Sequence, residues 1–370
     1  MYVPPMSRGT GNSFMSLDAL SERELGAWRE LARRALDPNP FYEPEFVLAA
    51  TRHLRDRVRL LTHRRDGDWL ACLPIGLPGT RGLPRLVVSW KHRYCFLGTP
   101  LLDGQRPAEA ARGLLDSAMG DSRGLPLILR GIGDGPALDA LTAEGRARGL
   151  ETVFSARRER AVLRRRSDGG YLDGMRPRRR RELARQRRRL AEHLGADVAV
   201  RDRAGELNAV EEFLQLESAG WKGDGRGAMA SSRRDAALFR DICGGFARAG
   251  RLQLLSLDAG GPAAAMKCNL AAGDLLCCFK IAHDEALGRF SPGVQLEVEN
   301  VELFHHRREL LMDSCAEDHN AMINRLWPDR RAVTTLALGR PGARNELFRR
   351  GLRTAHALRT RERGKPSTRQ

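Results

Sequence analysis

The chain has 370 residues, 42% of them hydrophobic, and a formal net charge of +17. That length suits two domains of ordinary size, and the apolar content is enough to fold them, which excludes a wholly disordered chain. The absence of any run of about twenty apolar residues excludes a membrane-spanning helix. The charge favours anionic partners: a phosphorylated cofactor, an acidic acceptor, nucleic acid or a membrane surface.

The opening MYVPPMSRGTGNSF lacks the apolar core of a signal peptide, so a cytoplasmic location is expected. Residues 16–36 read as a helix, with Leu17, Leu20, Leu25, Trp28 and Leu31 on one face, and Asp37-Pro38-Asn39-Pro40 ends it. Residues 41–54 are a second helical stretch, and 58–62 and 69–77 form a hairpin around Arg65-Asp66-Gly67-Asp68. Further strand is expected at 85–90 and 94–97, helix at 107–119, strand at 127–132 and helix at 136–148. Residues 176–194, RPRRRRELARQRRRLAEHL, give an amphipathic helix whose leucines dock one side while the arginines present a positive face. Helix follows at 205–218 and 235–249, with the glycine-rich 220–230 between them. Residues 252–257, 263–270 and 275–281 make a three-strand meander, then come strand 310–315, a short helix 319–326 and a last strand 333–338. Seven cysteines contain no C-x-x-C pair. Cys72, Cys95, Cys268, Cys277, Cys278 and Cys315 lie in strand-like runs and Cys243 in a helical one, so reduced core thiols are expected, with neither metal nor disulfide.

Both halves read helix, helix, meander, helix, strand, helix, strand. A duplicated α/β (α+β) domain is the simplest account, with a first domain at 1–155, a second at 156–345 and a frayed basic tail at 346–370.

The most informative stretch is DLLCCFKIAHDEALGRFSPGVQLEVENVEL, residues 274–303. It reads as a buried strand, a loop and a helix with Ser291 as N-cap, Pro292 as first residue and Gly293 leaving the first turn open. Free N–H groups and the positive end of the helix dipole suit a pyrophosphate, although an ordinary strand–helix junction fits the same residues. Arg289, Phe290, Ser291, Pro292, Gly293 and Val294 are the candidate anion-binding residues.

The blocks RRRRELARQRRRLAEHLGADV, LESAGWKGDGRGAMA, CFKIAHDEALGRFSPGVQLEVENV and MDSCAEDHNAMINRLWPDRRAVTTLALG follow in an order that resembles the CelD/BcsL-type acetyltransferases of the GNAT superfamily. The paired halves also resemble the duplicated GNAT architecture of the Fem-type aminoacyl transferases. The resemblance implies two tandem GNAT-like domains, each a mixed, mostly antiparallel sheet flanked by helices. It also implies transfer of an acyl group, usually acetyl, from coenzyme A to an amine or a sugar-linked group. Arg289-Phe290-Ser291-Pro292-Gly293 is a compressed form of the usual Gln/Arg-x-x-Gly-x-Gly/Ala signature, and no tyrosine follows Tyr171 to serve as a general acid. In such a fold two strands splay apart after the meander, here 275–281 and 310–315, and the reacting groups meet between them.

Acyl transfer needs a base for the acceptor and a donor for the thioester oxygen. His283, Asp284, Asp313 and His319 are the candidate bases near the gap, His319 having the best-matched ordinary pKa. Lys280, Trp221 and Lys222 are candidates for holding the acceptor. A cap, an ion pair or a surface position is the competing role for each. The expected partners are an acyl-CoA co-substrate, a small or saccharide-linked acceptor, and an anionic partner along Arg176–Arg189. Two alternatives stay open: a Fem-like enzyme drawing on aminoacyl-tRNA, and a non-catalytic binding module.

Overall fold

The computed structural model describes residues 10–76, 87–121, 126–206, 208–219 and 229–342. They begin with β1 (Thr10–Ser16), α1 (Glu22–Arg33), α2 (Pro44–Leu54), β2 (Val58–Arg65), β3 (Asp68–Gly76), β4 (Val87–Val88) and β5 (Leu101–Leu102). Next come α3 (Pro107–Asp121), β6 (Leu127–Gly133), α4 (Pro136–Ala147), β7 (Glu151–Arg164), α5 (Pro177–Leu194), β8 (Ala199–Asp202), α6 (Ala209–Ala219) and α7 (Arg233–Arg248). The remainder is β9 (Leu252–Asp258), β10 (Ala265–Ala272), β11 (Leu275–His283), α8 (Pro292–His305), β12 (Leu311–Asp313), α9 (Ala321–Leu326) and β13 (Asp329–Gly339). The fold is mixed α/β with mostly antiparallel sheets flanked by helices.

Two compact units result. The first takes the chain up to Pro44, Arg57–Glu159 and the chain from Ala332 on; the second takes Glu45–Asp56 and Arg160–Arg331. The basic tail at 346–370 lies outside the described residues.

In the first unit β1, β2, β3 and β5 form an antiparallel sheet, and β6 lies between parallel β4 and antiparallel β13. The hairpin turns at Asp66 and Gly67, both left-handed (φ 54° and 92°), as a tight two-residue turn on a twisted ribbon requires. α1 starts later than its leucines suggest, because Ser21 and Glu24 form a reciprocal capping box. Trp28 stacks on Trp69 at 6.1 Å and donates its indole N–H to the Tyr42 carbonyl. The expected strand at 94–97 is absent: Tyr94, Cys95 and Leu97 are buried, but in irregular chain. A methyl on Gly98 would meet the Arg130 carbonyl at 2.1 Å, so the chain there packs backbone against backbone.

In the second unit the order is β7 (its last residues), β12, β11, β10, β9, β8, antiparallel except for β11 beside β12. α2 belongs to this unit through Phe46, edge-on to Phe279 at 5.8 Å, and through Asp241, which accepts from Arg52 and His53. Leu276, Val301, Phe304, Met312 and Trp327 form an apolar core under α8.

Beside that core lies a buried polar cluster. Lys267 Nζ donates to Glu297 Oε2 at 2.6 Å, and Trp327 Nε1 and Asn300 Nδ2 both donate to Oε1 at 3.1 Å. Asn269 links Asn300 to Gln253, with 2.8 Å to each. Burial by itself lowers the Lys267 pKa; the neighbouring Cys278 sulfur and the Glu297 carboxylate more than reverse it, so the lysine stays charged. At the far end of α8, Arg165 donates to the carbonyls of Phe304 and His305 in the last turn and of Arg307 and Glu309 just beyond it.

Removing one partner of a buried pair strands the other. Lys267→Met is therefore expected to cost about 3–5 kcal/mol in urea denaturation. A loss under about 1 kcal/mol would mean that solvent reaches Glu297.

Candidate active site

β11 and β12 pair in parallel at three positions only: Leu275 with Leu311, Leu276 with Met312 and Cys277 with Asp313. β12 then ends, while β11 continues to His283 with β10 as its neighbour. The strands therefore part beyond Cys277 and Asp313. Within residues 160–331 the described non-glycine residues with left-handed backbone are Ser291 (φ 54°) and Cys315 (φ 52°). One follows each arm of the gap, and such conformations cost about 1–3 kcal/mol unless the surroundings fix them.

Asp313 fixes the end of β12. It is fully buried, lies 3.4 Å from Arg160 Nη1 and 3.6 Å from Arg331 Nη1, and accepts the Cys315 N–H at 2.9 Å. Two guanidinium groups and a backbone amide thus engage this carboxylate at the strand end. Asp284 caps the 3-10 turn Glu285–Phe290, accepting the Ala286 N–H at 2.9 Å. His319 stands in the segment after β12, with its side chain 80% exposed and Nδ1 3.2 Å from Asp318. Lys280 Nζ is 3.8 Å from buried Glu217 of α6. Trp221 and Lys222 lie outside the described residues.

The turn into α8 is less open than its sequence suggests. Ser291 occupies the N-cap position but its side chain makes no capping bond, because the left-handed backbone aims it away. The N–H groups of Val294 and Gln295 both return to the Ser291 carbonyl, and Pro292 has none. Gly293 N–H is left as the open donor of that turn among the described residues. A Cβ on Gly293 would stand 3.4 Å from the His283 ring. Phe290 and Pro292 are buried and anchor the turn, while Val294 packs half-buried against the core. Exposed Arg289 lies 4.7 Å over the Phe290 ring and 3.5 Å from His193 Nδ1. The turn offers one amide N–H and an adjacent guanidinium rather than a ring of amides.

Residues 177–320 match the family model of the acetyltransferase (GNAT) domain, a span that contains both arms of the gap. The crystal structure of FemX superposes with a TM-score of 0.54 at 13% identity, covering 85% of this chain and 95% of FemX. L-PGS from Bacillus licheniformis gives 0.52 at 12% identity, covering 90% and 96%. A conserved protein of unknown function from Bacteroides thetaiotaomicron gives 0.53 at 9% identity, covering 89% and 100%. No curated protein matches. The fold is tandem GNAT-like.

Cys277 and Cys278, on β11 beside the gap, are buried thiols. Burial pushes the Cys277 thiol up, with Cys315 adding to it, and burial raises Cys278 too, so neither is a thiolate nucleophile at neutral pH. Sequence reasoning missed the polar residues behind the gap. Lys267 and Asn269 alternate within an otherwise apolar strand, and Glu297 and Asn300 recur three apart on an apolar helix. That spacing was the available signal.

Two substitutions separate the roles. Asp313→Ala is expected to cost about 3–5 kcal/mol, because two buried guanidinium groups lose their counter-ion. His319→Ala, at an exposed site, should stay within about 0.5 kcal/mol of the parent in the same urea titration.

Proposed function

We propose that the second unit transfers an acyl group, acetyl in the simplest case, from a coenzyme A thioester to an amine or hydroxyl of a small or sugar-linked acceptor. The reading is that of a CelD/BcsL-type acetyltransferase. The observation that carries the reading is the parting of β11 from β12 after three paired residues, inside the span matched by the GNAT domain model. The thioester supplies an activated acyl carbon; the chain's own groups hold the donor and move a proton. Arg289 and the Gly293 N–H bind the diphosphate, with Ser291 and Val294 setting the turn. In the Nδ1–H tautomer His319 donates to Asp318, leaving Nε2 to take the proton of the attacking acceptor. Asp313 and Asp284 position the two arms. Lys280, at the open part of β11, lies beside the acceptor.

The likeness to FemX favours a second reading, aminoacyl transfer from tRNA. On α5, Leu183 and Leu190 are buried, whereas Arg178, Arg181 and Arg188 are exposed with no partner among the described residues. They supply an anion-binding stripe for either donor or acceptor. Among the described residues no helix is long and apolar enough to cross a membrane.

Acetyl-CoA or a longer acyl-CoA at 100 times its dissociation constant is expected to stabilise the protein by about 2.7 kcal/mol, read as a rise in Tm of several degrees. A shift from aminoacyl-tRNA without one from any CoA ester would establish the second reading, and none from either would leave a binding module. With an acceptor in hand, His319→Ala is expected to lower kcat/KM by about a hundred-fold while leaving Tm unchanged. A parallel loss of both would return His319 to a structural role.

A further inference from the structure

A cavity of about 500 Å³ lies between α5, the 168–175 segment and one face of α8, apart from the gap between the strands. On α8, Gln295, Val298 and Glu302 all line it. Their helical spacing puts them in a row about 10 Å long. Gln295 is 4% exposed, and its Nε2 donates to the Phe290 carbonyl at 2.7 Å. A carbonyl only accepts, so this bond fixes the amide orientation. The other atom, Oε1, is buried with no hydrogen-bond partner. A buried acceptor left unmet is costly, and a ligand that supplied a donor would relieve it.

At the opposite end of the row Glu302 is exposed and has no partner among the described residues. Nearby Asp168 accepts the Gly170 N–H at 3.2 Å and makes no ion pair among the described residues. The arginines of the wall are already engaged. Arg187 pairs with Glu299 at 2.6 Å and donates to the Val198 carbonyl, and Arg180 donates to the Leu172 carbonyl at 2.6 Å with Asp173 3.6 Å away. Between the two ends the wall is apolar, from Leu172, Leu183 and Val298. Glu302 and Asp168, which make no ion pair among the described residues, and Gln295 Oε1, which has no hydrogen-bond partner, are all acceptors, and the first two carry negative charge.

We propose that this cavity is a binding site for an organic cation with an apolar middle. Its ammonium sits at the mouth against Glu302 and Asp168, and a neutral N–H donor at its other end meets Gln295 Oε1. This selectivity runs against the positive charge of the whole chain, because it is set by the carboxylates within hydrogen-bond reach. It does not depend on which group the protein transfers.

Calorimetric titration of the full chain with three six-carbon probes tests this: 6-aminohexanamide, hexanamide and adipamic acid. The cationic amide is expected to bind about ten-fold more tightly than either of the others at low salt, and Asp168→Asn with Glu302→Gln should remove about that factor. Val298→Trp, or Ala184→Trp on the α5 wall should the first unfold, is expected to abolish binding by filling the space. Equal affinity for the three probes would overturn the proposal, as would cation binding that survives both the charge and the filling substitutions.

Discussion

A strand of three residues makes the room in which the second unit can work. Parallel neighbours gain a hydrogen bond at each step they share, so β11 would be most simply satisfied by a partner along its whole length. Asp313 prevents this. Its carboxylate, drawn between Arg160 and Arg331, takes the Cys315 N–H and turns the chain into a left-handed conformation. The cost of burying one anion and two cations is offset only while all three are present. The gap is therefore an electrostatic product, held open by these three charges.

The arm on the other side is fixed from beneath. α8 carries the turn at Ser291 and packs Glu297 and Asn300 against Lys267 and Asn269 of the sheet. Apolar side chains alone would tolerate a helix sliding by a turn, since one methyl group packs much like another. A lysine, a glutamate and two asparagines that must all be matched allow one register. The polar cluster thereby sets where Gly293 and Arg289 stand relative to the end of β11, on the scale of a hydrogen bond.

Much of this was legible in the residues. The Asp66-Gly67 turn, the three-strand meander, the leucine stripe of the basic helix and the Pro292 start of α8 rest on local chemistry and occur where that chemistry points, whereas the capping bond expected of Ser291 is not made. β7 was not legible. Its run carries arginines at 157, 158, 160 and 164, yet Arg160 is buried against Asp313, a partner far along the chain. β8 is short, and β1 is too polar to stand out. At the site, the residue types were apparent but their roles were not. A capping aspartate, an ion-paired one and a serviceable base look alike until their neighbours are known. The surroundings of Asp284 and Asp313 are set by the Ala286 N–H and by Arg160 and Arg331, none of them evident from the aspartates' own positions.

The grip of Arg165 on the last turn of α8 has a further effect. A guanidinium does not lose its proton under any condition in which a protein stays folded. It sits at the negative pole of the helix, donating to the Phe304 and His305 carbonyls of that turn and to those of Arg307 and Glu309 just beyond it. A lysine in its place would let go as the medium became alkaline, and the helix would fray from the end remote from the ligand. With arginine there, the helix keeps its length and its axis into strongly basic solution. Alkali should then not loosen the framing helix from this end.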